Sequence, residues 1–296
     1  MIPEILEKYK KAGKIAAQAR EYGKGLIKEG ITVLEIAETI ERKIFDLGAK
    51  PAFPVNISIN EVTAHFSPAM QDKTTIKEWD YVKLDVGVHV DGYIGDTACT
   101  VRLAGKDELI KCSEQMLESA LPLFKPGIGI AGIGAAIENV ANEFGFNPIR
   151  NLTGHGLDQY NLHAGVTIPN IKIASEKILQ EGEVYAVEPF CTTGAGFVKE
   201  SEPALIFRWI ADRPVRSAEA RKILEIAKSE FDRLPFAKRW LQKRFTQFKV
   251  ELALKQLLAV NSLHPYQQLK EVSAKPVAQA EHTVIVAKEP IVTTRV

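Results

Sequence analysis

Helical and strand patterns follow one another along 296 residues, which predicts a mixed chain of the α/β (α+β) kind. Three observations carry that expectation: two amphipathic helical stretches at the start, an Asp-Gly pair between two β-rich runs, and a long helix-patterned segment between strand-like ones. Positions 4–28 place Ile5, Leu6, Tyr9, Ile15 and Ala16 near helical spacing. A second helix is expected over 33–47, with Thr32 as N-cap and Glu35, three positions on, completing a capping box. A loop with strand character follows at 51–60. Val82–Val90 and 93–103 are rich in Val, Tyr, Ile and Thr and flank Asp91-Gly92, the strongest local signal for a two-residue hairpin. Helices are expected at 107–123 and 132–144, an alternating region at 148–169, and a strand at 184–190. Positions 195–206 are mixed, and 212–273 are basic and helix-patterned, closing on the proline of LHPYQQL. Strand composition resumes at 284–286. The simplest organisation is a catalytic domain of 1–194 and 273–296, interrupted by a helical insert of 195–272.

Five potential metal ligands lie along this pattern: Asp85, Asp96, His155, Glu188 and Glu281. Four carboxylates and one imidazole form a hard donor set, suited to a carboxylate-bridged pair of Mn, Fe, Co or Zn ions rather than to a sulfur-lined structural site. Four carboxylates also balance the charge of two divalent cations. If Asp91 and Gly92 form the turn, Asp85 faces Ala98 and Asp96 faces Gly87. The two aspartates then become diagonal neighbours on one face, their β-carbons roughly 7–8 Å apart or somewhat less, close enough to converge on ions ~3.5–4 Å apart. Gly87 and Gly95 leave room for other groups to approach. On the hairpin alone, edge-strand aspartates guarding against aggregation fit equally well.

Composition excludes several function classes. A net charge of +1 makes no overall case for nucleic acid or an anionic membrane. Cys99, Cys112 and Cys191 are widely spaced, without a C-x-x-C pair, and read as reduced thiols. No run of 18 apolar residues occurs, and the N-terminus lacks a signal peptide's apolar core, so a cytoplasmic protein is expected.

The chain resembles the methionine aminopeptidases over essentially its whole length. KPAFPVNISIN (50–60), AHFSP (64–68), LDVGVHVDGYIGDTA (84–98), NLHAG (161–165), VEPF (187–190) and EHT (281–283) are similar to that family's motifs and follow their order. Glu281 lies 93 positions beyond Glu188, and the helical stretch between them resembles the insert of the type II enzymes, with LPFAKRWL (234–241) similar to its core. The short N-terminal region resembles the archaeal form. The resemblance implies a pita-bread fold: two pseudo-symmetric halves of curved antiparallel sheet with helices outside. It implies two divalent ions per chain, with Asp85 on the second, Asp96 and Glu281 bridging both, and His155 and Glu188 completing the first. A bridging hydroxide would attack the scissile carbonyl with Glu188 as general base, and a free α-amino group would bind at the second ion. His163 would donate to the developing oxyanion, a role worth ~3–4 kcal/mol. His65 would contact the leaving-side amide nitrogen and could assist its departure as an acid. Phe53, joined by Leu162, would line the pocket for a methionine side chain.

The substrate implied is the N-terminal methionine of nascent polypeptides with a small second residue. A monomer is implied, transiently near the ribosome, with no stable nucleic-acid or membrane partner. One departure stands out: the family's last ligand usually follows Gln-Phe, and here Gln279-Ala280 precedes Glu281. His89 and His282 read as structural, His264 carries no signal, and the cysteines read as buried hydrophobes. Two competing readings remain. One is a proline-directed relative such as prolidase or aminopeptidase P, which normally carries a long extra N-terminal domain. The other is a non-catalytic binding module using the basic insert, although Glu219, Glu225, Glu230 and Asp232 interleave with its cations.

Overall fold

The computed structural model describes residues 1–295. The first helix, Pro3–Leu26, opens on a proline whose missing N–H needs no partner there. Its small buried face of Ala12, Gly13, Ala16 and Ala19 brings it unusually close to the hairpin. A β-carbon at Gly95 would meet Gly13 Cα at 2.5 Å, so backbone rests on backbone. The second helix, Val33–Asp46, begins where expected, with Thr32 Oγ1 accepting from Glu35 N at 3.1 Å. Both pack on an antiparallel sheet in which Val82–Val90 lies among Lys50–Pro51, Asn56–Ile59 and Tyr93–Val101. Ile36, Ile40, Ile44, Ile57, Leu84 and Val86 fill the core between them.

The second half repeats this plan. Helices Glu108–Ala120 and Ile130–Phe144 cover a five-stranded antiparallel sheet ordered Ile291–Val292, His282–Ile285, Val184–Val187, Thr153–Asp158, Asn161–Pro169. Met116, Leu117, Ile133, Ile137, Tyr185 and Val284 form its core. The expected strand at 184–190 is broken: Val184–Val187 ends before Glu188-Pro189, and Phe190–Thr192 restarts in a different sheet. Pro189 cannot donate to a ladder, and the break leaves Glu188 outside one.

Helices Ala218–Ile226, Lys238–Gln242 and Gln247–Ala259 gather their own core around Ile223, Phe236, Leu254 and Leu257. Helical patterning was expected through 273, but Leu263–Glu271 is a strand paired with Val198–Trp209. Asn261 adopts φ 52°, the left-handed conformation that ends a helix, and Pro265 could not have joined one. In the strand, Pro265 faces Phe207, and the strand on the other side, Val62–Ala64, reaches only Leu269 and Lys270. The missing N–H therefore leaves no ladder bond unmade.

Candidate metal centre

The hairpin takes the register its turn dictates. Asp91 and Gly92 have φ 52° and 87°, as a two-residue turn with positive φ at both positions requires. Asp85 pairs with Ala98, and Gly87 with Asp96. The second half locks onto this hairpin beside Asp96. Glu281 N donates to Ala98 O at 3.0 Å, and Asp96 N donates to Thr283 Oγ1 at 2.7 Å. Thr97 Oγ1 donates to Glu281 O at 2.9 Å. Glu281 is thereby carried to the hairpin from the other end of the chain. His155, on Thr153–Asp158, places Nε2 3.4 Å from Glu188 Oε1 and 3.8 Å from Asp96 Oδ2. One ligand atom from each of Asp96, His155 and Glu281 lies within 4.8 Å of the others. Asp85 and Glu188 line the same cavity as these three.

Burial dictates the electrostatics. It raises the Asp85 carboxyl to about 7 and holds those of Asp96, Glu188 and Glu281 well above their ordinary range, an effect the neighbouring carboxylates reinforce. Asp85 Oδ1, Asp96 Oδ1 and Glu281 Oε2 are buried without a hydrogen-bond donor. Unpartnered buried acceptors of this kind cost ~1–3 kcal/mol each, and a divalent cation is the partner that would satisfy them together. The donor set and the orphaned oxygens both fit hard divalent metal ions.

The imidazoles are shifted the other way. Desolvation lowers the buried His155 and half-buried His65 to about 4, and His163, although its side chain reaches solvent, is shifted well below 6.5 by desolvation and by the imidazoles around it; all three are neutral at pH 7. His155 Nδ1 points at Gly156 O at 3.4 Å, leaving Nε2 free toward the carboxylates. His65 Nδ1 donates to Gln267 O at 3.2 Å, which leaves Nε2 as an acceptor. The His65 backbone sits at φ 61°, a strained conformation of the kind found at functional sites. The His163 ring lies 4.5 Å from that of His155, with Tyr266 Oη 3.5 Å from its Nδ1.

Phe53 and Leu162 form part of the same cavity wall, so all nine residues singled out in the sequence meet in one place. A β-carbon at Gly87 would sit 2.0 Å from Phe53 Cε1; the glycine admits the ring. Five further lining residues escaped the sequence reading: Asn56, Ala64, Ile206, Pro235 and Tyr266. Asn56 pairs with Asp85 across the ladder, a register that only the structure supplies. Tyr266 lies in the stretch read as helix. A larger cavity of about 600 Å³ lies between the second helix, the hairpin edge and residues 229–244, and contains none of the nine. His89 accepts from Gly92 N at 3.1 Å, and His282 Nδ1 lies 2.8 Å from Thr294 Oγ1, both structural roles as expected. Ala280, where a phenylalanine was expected, is buried in the core of the second half.

The profile of metallopeptidase family M24 matches residues 7–287. The methionine aminopeptidase of Thermococcus onnurineus is 51% identical over 281 residues, covering 94% of this chain and 95% of that protein. Among solved structures, a thermophilic Arx1 superposes with a TM-score of 0.89 at 19% identity, covering 99% of this chain and 91% of that one. The methionine aminopeptidase of Thermotoga maritima gives 0.74 at 24% identity, covering 100% and 98%. Both likenesses bear out the pita-bread fold. No helix among the described residues is long and apolar enough to cross a membrane. A carboxylate-rich buried centre, this fold and a relative identical at half its positions lead to one conclusion: the chain belongs to metallopeptidase family M24, with the methionine aminopeptidases.

Proposed function

We propose that the cavity removes N-terminal methionine from peptides and nascent proteins with a small second residue, using two divalent ions held by Asp85, Asp96, His155, Glu188 and Glu281. One observation carries this reading: three buried carboxylate oxygens without a donor in one cavity, two of them on residues that cluster with a neutral histidine. Asp96 and Glu281, joined through the hairpin contact, would help hold both ions, with Asp85 adding to the ligands of one and His155 with Glu188 to those of the other. When bound, such ions supply a hydroxide at neutral pH and polarise the scissile carbonyl.

The chain's own residues supply the rest. Glu188 takes up the proton of the attacking water. His163 donates one N–H to the carbonyl oxygen as it gains charge. His65, with Nδ1–H engaged by Gln267 O, offers Nε2 to the leaving-side amide N–H and positions it. That tautomer favours an acceptor's role over an acid's. Phe53 and Leu162 hold the methionine side chain by apolar and sulfur–aromatic contact, the latter worth ~0.3–1.5 kcal/mol. Residues 195–272 act as an inserted subdomain that completes the wall through Ile206, Pro235 and Tyr266. Nascent-chain substrates place the enzyme in the cytoplasm, a monomer working near ribosomes without stable nucleic-acid binding.

The test compares Met-Ala-Ser, Met-Gly-Met-Met and Ala-Pro peptides on protein reconstituted with Co, Mn, Fe or Zn. Release of methionine from the first two alone is expected. Cleavage of Ala-Pro alone would move the reading to a proline-directed enzyme, and no cleavage at all would leave a binding module. A Met-Ile-Pro peptide gives a second check: its second residue is β-branched, and overpacking by a few methylenes costs ~1–3 kcal/mol. Little methionine is therefore expected from it; release as fast as from Met-Ala-Ser would show a wider leaving-side pocket.

A further inference from the structure

Arg239 lies in the LPFAKRWL stretch, far in sequence from all nine site residues, yet its side chain is fully buried. Its guanidinium reaches across to the N-terminal half in two directions. Nη2 donates to Glu41 Oε1 on the second helix, while Nη1 donates to Ser67 Oγ at 2.6 Å and more weakly to Pro68 O at 3.4 Å. Both partners then converge on one residue. Val55 N donates to Glu41 Oε1 at 3.2 Å, and Ser67 Oγ donates to Val55 O at 2.9 Å. A closed ring results: Val55, Glu41, Arg239, Ser67 and back to Val55. Trp240 Nε1 donates to Glu41 Oε2 at 2.9 Å and fixes the carboxylate from outside.

Each backbone segment the ring grips carries a cavity residue two positions away. Phe53 precedes Val55, and His65 precedes Ser67. The same two segments are stitched once more by Ile57 N donating to Phe66 O at 2.9 Å. His65 needs such restraint, because φ 61° persists only where the surroundings over-determine it. A buried ion pair is weak grounds for a stabilising role, since apolar replacements are often as stable. A planar fork that fixes two strands at once is better explained by geometry.

We propose that Arg239 is a positioning residue: through Glu41 and Ser67 it holds Phe53 and His65 at their places in the cavity, coupling the 195–272 segment to recognition of the substrate. The inference rests on the proposed roles of Phe53 and His65. Failure of the wild-type protein to release methionine from Met-Ala-Ser would sink those roles; the exchange measurement below tests the positioning without them.

The test uses the metal-loaded, full-length protein. Arg239→Met alone strands Glu41 in the interior, so it is combined with Glu41→Gln, which keeps an acceptor for Val55 N. The double variant should raise KM for Met-Ala-Ser about tenfold at unchanged metal content. Amide hydrogen exchange should quicken in peptides covering 53–57 and 64–68 and nowhere else in the first half. Arg239→Lys restores a charge opposite Glu41 but, as a single ammonium, cannot serve both arms. It should recover thermal stability while the KM defect remains. Ser67→Ala keeps the ion pair, removes one arm, and should raise KM in the same direction. Wild-type KM and exchange in Ser67→Ala would overturn the proposal. So would a return of KM together with stability in Arg239→Lys, as expected of a pair that only holds the fold together.

Discussion

On the floor of the cavity, burial raises Asp85 to about 7 and carries Asp96, Glu188 and Glu281 well above the usual carboxylate range; on its more open rim, desolvation lowers His65 to about 4 and, with the neighbouring imidazoles, His163 well below 6.5. Desolvation penalises whichever form is charged, so acids keep protons and imidazoles lose them. The consequences differ. A neutral imidazole is already in its working form, with one donor and one acceptor nitrogen. A protonated carboxyl is not in the form that binds a cation, and divalent ions must displace those protons to gain ligands. The floor is thus completed by something the chain does not supply, and the rim is complete by itself.

The sharpest way to break that contrast is to remove a floor residue. Asp96→Ala and Glu281→Ala should each abolish turnover, by roughly 10³-fold or more given several kcal/mol of metal-derived stabilisation. Metal stoichiometry should fall in parallel while circular dichroism stays native. Full turnover by either purified, metal-loaded variant would end the assignment of a shared pair of ions. A rim substitution should behave differently: His163→Ala lowers kcat by ~10²–10³ with metal content intact. Metal loss in that variant would place His163 on the floor after all.

The smallest effect is a slope. In metal-free protein the raised Asp85 carboxyl contributes stability that is full below about 4 and lost as pH rises toward about 7. The lowered His65 and His155 contribute stability present above 6.5 and lost as pH falls toward about 4. The two slopes oppose one another. Loading with a divalent ion removes the first, so melting temperature should climb more steeply between pH 4 and 6.5 in loaded than in chelated protein. Parallel profiles for the two forms would show that the carboxylates do not exchange protons for metal.

How much of this was legible in the sequence depended on whether the signal was local. Asp91-Gly92 dictates a turn, the turn dictates the register, and the register puts Asp85 and Asp96 on one face; nothing distant intervenes. Thr32 marked its helix for the same reason. His65, Phe53 and Leu162 reached the site through family motifs alone, since no spacing rule points at them. Leu263–Glu271 was misread because YQQLKE suits a helix as well as a strand, and the choice belongs to its partner, Val198–Trp209. Tyr266 was missed with it. The Glu41–Arg239 pair joins positions 198 apart, and two charged residues in amphipathic helices normally face water.

Ala98 and Glu281 exchange backbone hydrogen bonds across 183 positions of chain. Closing a loop of that length costs ~5 kcal/mol in chain entropy, so the contact forms only after both halves have largely folded. The hydrolytic centre is therefore a late product of folding: a half-folded chain holds Asp85 and Asp96 without Glu281 and has no peptidase to misuse. Metal uptake should coincide with the slowest refolding phase.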